Sequence, residues 1–109
     1  MANTDIAIDE KVKIRVQEPK KWKVILINDD VTPVDFVISL LMDVFKHDPN
    51  SAGIITMQVH ETGSGIAGVY DFEIAEIKAV EATTLARAEG FPLQIKLRSE
   101  EHTSELQSH

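Results

Sequence analysis

The chain has no cysteine in its 109 residues. Disulfides and thiolate chemistry are therefore excluded, and the usual zinc sites lose their main ligands. No apolar run is long enough to span a bilayer, and the N-terminus lacks the apolar core of a signal peptide. There is no Gly-rich phosphate loop and no HExxH, which removes the common nucleotide and metalloprotease signatures. Basic residues are the minority, 11 against 18 acidic, for a net charge of -7. That balance argues against a nucleic-acid or anionic-membrane surface and suits a partner presenting positive charge. What remains is ordinary for a soluble globular protein, with 43% hydrophobic and 27% charged residues, and the length fits one domain with a modest core.

The chain is organised around Trp22–His47, WKVILINDDVTPVDFVISLLMDVFKH. Trp22, Val24 and Leu26 share one face of a strand and Lys23, Ile25 and Ile27 the other. Asn28-Asp29-Asp30 is a polar turn. Thr32-Pro33-Val34-Asp35 reads as a helix start, with Thr32 as N-cap, Pro33 at the first helical position and Asp35 as the acid of a capping box. Phe36, Val37, Leu40, Leu41, Val44 and Phe45 then repeat at helical spacing as one core-facing stripe. A short acidic loop is thereby held between a buried strand and a buried helix, a suitable place to receive a cation.

Further along, His47-Asp48-Pro49-Asn50 breaks the pattern, and Asn50 or Ser51 is expected to cap a second helix running to about His60. Ile55 and Val59 are four apart, as are Thr56 and His60, so Val59 and His60 fall on adjoining helix faces. Gly63-Ser64-Gly65 is a turn and Ile66–Tyr70 a short strand, with Gly68 allowing close backbone approach. Asp71 is expected to cap a long helix, Phe72–Glu89, carrying Ile74, Ile77, Val80 and Leu85 inward. Gly90 stops it and Pro92 follows. Leu93–Leu97 alternates as the last strand. The order β-α-α-β-α-β implies an α+β domain in which three helices pack on one face of a small three-stranded antiparallel sheet.

Two segments stand apart. Residues 1–20 are polar and mixed in charge, with scattered apolar positions, and are expected to be a disordered extension. Arg98–His109, RSEEHTSELQSH, lacks apolar periodicity and looks like the conceptual translation of a sequencing-library adapter. It is set aside as a non-native tail, leaving 21–97 as the domain. His102 and His109 are then not available to a metal site. Without Arg98, Glu100, Glu101 and Glu105, 10 basic residues face 15 acidic ones, and the acidic balance survives.

VILINDDVTPVDFV, followed by Val59-His60, GVYDFEIAEIKA and the FPL at 91–93, resembles the ClpS family of adaptors for the Clp protease. The resemblance runs from about Lys20 to Leu97. It implies the ClpS-like fold, shared with the C-terminal domain of the ribosomal stalk protein, and a monomeric, non-enzymatic role without cofactor. It further implies capture of proteins that begin with Phe, Leu, Trp or Tyr and their delivery to a ClpA- or ClpC-type AAA+ unfoldase. In the family the N-terminal extension takes part in that delivery. Asn28, Asp29 and His60 match the positions that hold the substrate's α-amino group and first peptide linkage, with Asp30 in support. Thr32, Val34, Val37, Thr56, Val59 and Leu93 match the walls of a pocket for the first side chain. Glu73 and Lys78 match positions that dock onto the unfoldase's N-terminal domain.

The chemistry is consistent with those assignments. An α-amino group, with a reference pKa of about 7.7–8.0, is largely protonated at neutral pH. Its N–H bonds need acceptors and a nearby negative charge to offset desolvation. The Asn28 carbonyl, the Asp29 carboxylate and a neutral His60 ring nitrogen are such acceptors, so acid is expected to weaken binding. Val34 and Thr56 stand where ClpS proteins often carry Met. Val34 is the shorter gatekeeper, which implies looser discrimination against β-branched first residues, and Thr56 alters the pocket's depth.

Other readings lead elsewhere. Asp29, Asp30 and His60 would gather a metal only if the second helix folds back on the loop. Adjacent aspartates in a turn are far more often solvated turn formers, and the expectation is no metal and no catalytic site. Val34, Val37 and Leu93 equally read as ordinary core, and Glu73 and Lys78 as a solvated helix face. A stalk-like interaction domain without amino-terminus binding is the alternative function. The expected location is a bacterial cytoplasm, with an organellar stroma as the other possibility.

Overall fold

The computed structural model of the chain describes residues 20–100. The extension expected over 1–20, Lys20 apart, and the tail beyond Glu100 lie outside the described residues. Six elements follow one another: β1 (Lys21–Ile27), α1 (Val34–Asp43), α2 (Pro49–Thr62), β2 (Ser64–Asp71), α3 (Phe72–Ala88) and β3 (Gln94–Ser99). The strands form one antiparallel sheet in the order β2-β1-β3. The architecture is the α+β arrangement that the hydrophobic periods imply.

β1 is central because it can bury both faces. Val24 and Leu26 are fully buried in the core between sheet and helices, and Ile25, on the other face, is buried too. From α1 come Val37, Leu40 and Leu41, and Val44 and Phe45 extend the same stripe just beyond the helix. Opposite Val24 and Ile25 the pairing of β2 slips by one residue, Ala67. The carbonyl of this bulged residue accepts a hydrogen bond from His47 Nε2 at 2.6 Å. A carbonyl can only accept, so Nε2 carries the proton. The bulge is thereby tied to the loop after α1.

The caps depart from expectation. Thr32 does not cap α1, because its hydroxyl donates to Asp29 Oδ2 at 2.8 Å; Pro33 takes the N-cap position and no side chain caps the helix. Asp48, rather than Asn50 or Ser51, caps α2, accepting from the N–H groups of both and from the Ser51 hydroxyl. At α3, Asp71 occupies the N-cap position, yet its carboxylate pairs with Lys21 Nζ at 2.9 Å instead of with the helix. Gly63 alone makes the turn into β2, at φ 96°, and Ser64 and Gly65 already belong to the strand. Gly90 ends α3 as expected, at φ 83°. Its N–H reaches Arg87 O, and that of Phe91 reaches Ala86 O, the paired bonds of a Schellman motif. Phe91 then meets Phe36 edge-on, ring centres 5.0 Å apart. β3 continues through Arg98 and Ser99, opposite Lys23 and Trp22, two residues past the boundary drawn from the sequence.

The largest correction concerns α3. Ile74, Ile77, Val80 and Leu85 do not point inward; they are 45%, 61%, 61% and 42% exposed. Ala75, Ala82 and Ala86 form the buried face, each with no exposure. A helix offering only methyl groups can lie close to the sheet, and no space is left for a Leu or Ile on that side. Ala82→Leu is therefore expected to overpack the interface and destabilise the fold by about 1–3 kcal/mol. Val80→Ala should stay within about 0.5 kcal/mol of the parent. Urea unfolding of both variants followed by far-UV circular dichroism checks this; equal losses would contradict the assignment of faces.

Candidate functional site

The loop between β1 and α1 is built around Asp29. Its Oδ1 accepts the N–H groups of Val31 and Thr32, both at 2.7 Å, and Oδ2 accepts the Thr32 hydroxyl. Burial pushes this carboxyl's pKa upward. The backbone and hydroxyl donors of Thr32, the Val31 N–H and the Arg87 charge together outweigh that and hold it below the ordinary range. The carboxylate thus stays charged while fixing the turn. With about four acceptor positions on a carboxylate and three taken, one remains, on Oδ2.

One backbone bond brings the second half of the site to this loop. Asn28 N–H donates to the carbonyl of Gly63, the residue that ends α2, at 2.9 Å. His60, in the last turn of α2, is thereby set opposite the acidic loop. Between them lies a cavity of about 210 Å³ lined by Asn28, Asp29, Asp30, Thr32, Val34, Val37, Thr56, Val59 and His60. Polar acceptors (Asn28, Asp29, Asp30, His60) and apolar or small side chains (Val34, Val37, Thr56, Val59) therefore share one cleft between the loop, the start of α1 and the end of α2.

The walls differ in depth. Val37, Thr56 and Val59 are buried, whereas Val34 is 49% exposed. Thr56 turns its hydroxyl back onto the Ala52 carbonyl at 2.7 Å, so its polar group is already satisfied by the helix. Leu93 is not among the residues that line this cavity. It is 1% exposed within the central core, where its backbone is held by Arg87, which donates to the carbonyls of Phe91 and Leu93 at 2.8 Å each. Arg87 is the residue that sequence reasoning missed. Its only signal was a basic residue in the last turn of a helix, ahead of Gly90.

Glu73 and Lys78 lie on α3, away from the cleft. Glu73 is exposed in the first turn. The Lys78 ammonium donates to the Val44 carbonyl at 2.8 Å and lies 5.6 Å from the centre of the Tyr70 ring. Its surroundings are therefore a helix end and an aromatic face. A strip of Ile77 and Val80 edged by Glu76 and Glu81 borders a shallow groove on the exposed side of α3. Among the described residues no group of three His, Asp or Glu side chains is placed to hold a metal ion, and no helix is long and apolar enough to cross a membrane.

The fold and cleft define a small α+β binding domain with acceptors at one end of an apolar recess. Comparison with known proteins places it more closely. The profile of the ATP-dependent Clp protease adaptor protein ClpS matches residues 17–96. The ATP-dependent Clp protease adapter protein ClpS of Oleidesulfovibrio alaskensis is 41% identical over 95 residues, covering 87% of this chain and 88% of that one. The ClpS of Clostridium acetobutylicum is 46% identical over 87 residues, 80% of this chain and 86% of its own. Among solved structures, Agrobacterium tumefaciens ClpS2 bound to L-phenylalaninamide superposes with a TM-score of 0.74 at 41% identity, covering 76% of this chain and all of that one. The chain belongs to the ClpS family of Clp protease adaptors. The stalk-like alternative is not favoured.

The depressed Asp29 pKa sets a pH dependence. A carboxyl whose folded pKa lies below its unfolded value stabilises the fold fully above the unfolded value, about 3.9, and loses that contribution as pH falls through the folded one. Asp29→Asn is expected to be less stable than the parent at neutral pH, with the gap closing as the pH drops below about 4. Paired urea titrations across that range test it; a gap independent of pH would contradict the role given to the charge.

Proposed function

We propose that the cleft receives the free amino terminus of a protein whose first residue is large and apolar. The chain is then a monomeric, non-enzymatic adaptor that passes such proteins to a ClpA- or ClpC-type AAA+ unfoldase. The observation that carries this reading is the meeting of Asn28, Asp29 and His60 with Val34, Val37, Thr56 and Val59 around one cavity. An α-ammonium offers N–H donors and a positive charge. The cleft offers the remaining acceptor position of Asp29, the Asn28 amide and the His60 ring, and the apolar recess beside them suits the first side chain. Burying a Leu or Phe side chain there favours binding by about 1.5–3 kcal/mol, enough to sort large apolar first residues from polar ones. The ligand of the Agrobacterium relative supports the same chemistry: L-phenylalaninamide joins a free α-amino group, a benzyl side chain and an amide.

Docking to the unfoldase is assigned to the outer face of α3, on Glu73 and Lys78 with the apolar strip of Ile74, Ile77 and Val80 between and beside them. Exposed Ile and Val residues over two turns of one helix are a surface suited to a partner. Lys78 would act from an anchored position, since the Val44 carbonyl already holds its amine. The first residues of the chain are assigned to delivery, the 21–97 domain to capture, and the cytoplasm is the proposed compartment.

Fluorescence anisotropy with a labelled peptide beginning in Phe tests the capture step. The free peptide is expected to bind and its N-acetylated twin to fail. His60→Ala should weaken the free peptide by about 1.5–3 kcal/mol, roughly ten- to a hundredfold. Equal binding of both peptides would overturn the proposal. The half-exposed Val34 adds a second expectation. In competition, peptides beginning with Ile or Val should displace the probe measurably, and Val34→Met should suppress them relative to Leu and Phe. Clean exclusion of Ile and Val by the parent chain would remove Val34 as the cause of looser selection.

A further inference from the structure

Gly65 has no backbone reason to be glycine. Gly63 and Gly90 sit at φ 96° and 83°, where L side chains are strained. Gly65 has no such conformation and pairs with Leu26 of the central strand, near the start of edge strand β2, and glycine within a strand normally weakens it. Space is what requires it. A Cβ added at Gly65 would stand 2.7 Å from Cγ2 of Val59, far inside van der Waals contact. Val59 is also a wall of the cleft.

Val59 has little freedom to avoid such a collision. Its side chain is 3% exposed. Its carbonyl is bonded to the Gly63 N–H, which pins the backbone of the last turn, and a β-branched residue in a helix has one strongly preferred rotamer. Because β2 backs Val59 and the cleft borders it, pressure from the strand is relieved toward the cleft. Resting on the proposed function, we infer that Gly65 is a specificity-determining residue: the missing side chain lets Val59 sit back into the sheet, and so sets how large a first side chain the cleft admits. The residue touches no ligand itself; it acts through Val59.

Gly65→Ala tests this in two ways. Without any ligand, methyl NMR should show the Val59 methyls shifting together with those of Val34 and Val37 across the cleft. Unmoved cleft methyls would overturn the inference whether or not peptides bind. With peptides differing only in the first residue, affinity for Trp and Phe should fall by roughly tenfold or more relative to Leu, the scale of one methylene in a fitted apolar pocket. The double variant Gly65→Ala/Val59→Ala should restore the larger residues. Retained Leu binding in Gly65→Ala shows that the variant is folded, and a uniform loss for all peptides would overturn the inference in favour of simple packing. Shifted cleft methyls in a parent chain that treats free and acetylated peptides alike would uphold the Gly65–Val59 coupling while sinking amino-terminus recognition.

Discussion

Asp29 commits most of its acceptor capacity to its own loop, and the cleft is arranged around that commitment. Two backbone N–H groups and one hydroxyl converge on it, which displaces the start of α1 by one residue and leaves Thr32 facing the acid instead of the helix. The same carboxylate keeps its charge at the edge of a partly apolar recess, where a cation gains more from it than in bulk water. The group that fixes the loop is thus also the one that keeps a negative charge at the cleft. A ligand does not have to order the loop when it binds, which removes a common entropic cost of recognition.

Much of this was legible in the chain. The strand, the acidic turn and the first helix follow from alternation and from the 3.6-residue stripe, because a large apolar side chain in a two-faced element has few places to go. Asn28, Asp29 and His60 could be grouped only through the resemblance to a known family. The bond that joins their elements runs between two backbone groups, Asn28 N–H and Gly63 O, and backbone pairing across 35 residues leaves no mark in side-chain pattern. Leu93 lies in the core and outside the lining of the cleft, a distinction that side-chain pattern does not draw. An apolar residue after a turn can wall a cleft, fill a core or do both, and the Arg87 bonds that hold the backbone at Phe91 and Leu93 span only four and six residues.

The misreading of α3 is more instructive. Both of its faces carry apolar residues, Ile, Val and Leu on one and Ala on the other, so periodicity alone left the choice to size. The heavier residues were the wrong choice because closeness of approach, rather than buried area per residue, governs a helix laid flat against a three-stranded sheet. The caps failed similarly. Asp71 and Thr32 are both good capping residues, and each was claimed by a stronger partner, the Lys21 ammonium in one case and the Asp29 carboxylate in the other.

The central position of β1 has a mechanical side. The segment preceding Lys21 leads straight into the strand that is laddered on both sides, to β2 through seven paired positions and to β3 through six. Tension applied there along the strand axis cannot peel one hydrogen bond at a time from an edge. It loads both ladders in shear together, and the bulge at Ala67, pinned by His47, resists sliding past the slip in register. A chain gripped from that side would offer its hardest element first, so the lifetime of the fold under load would be governed by the barrier to unfolding rather than by its equilibrium stability.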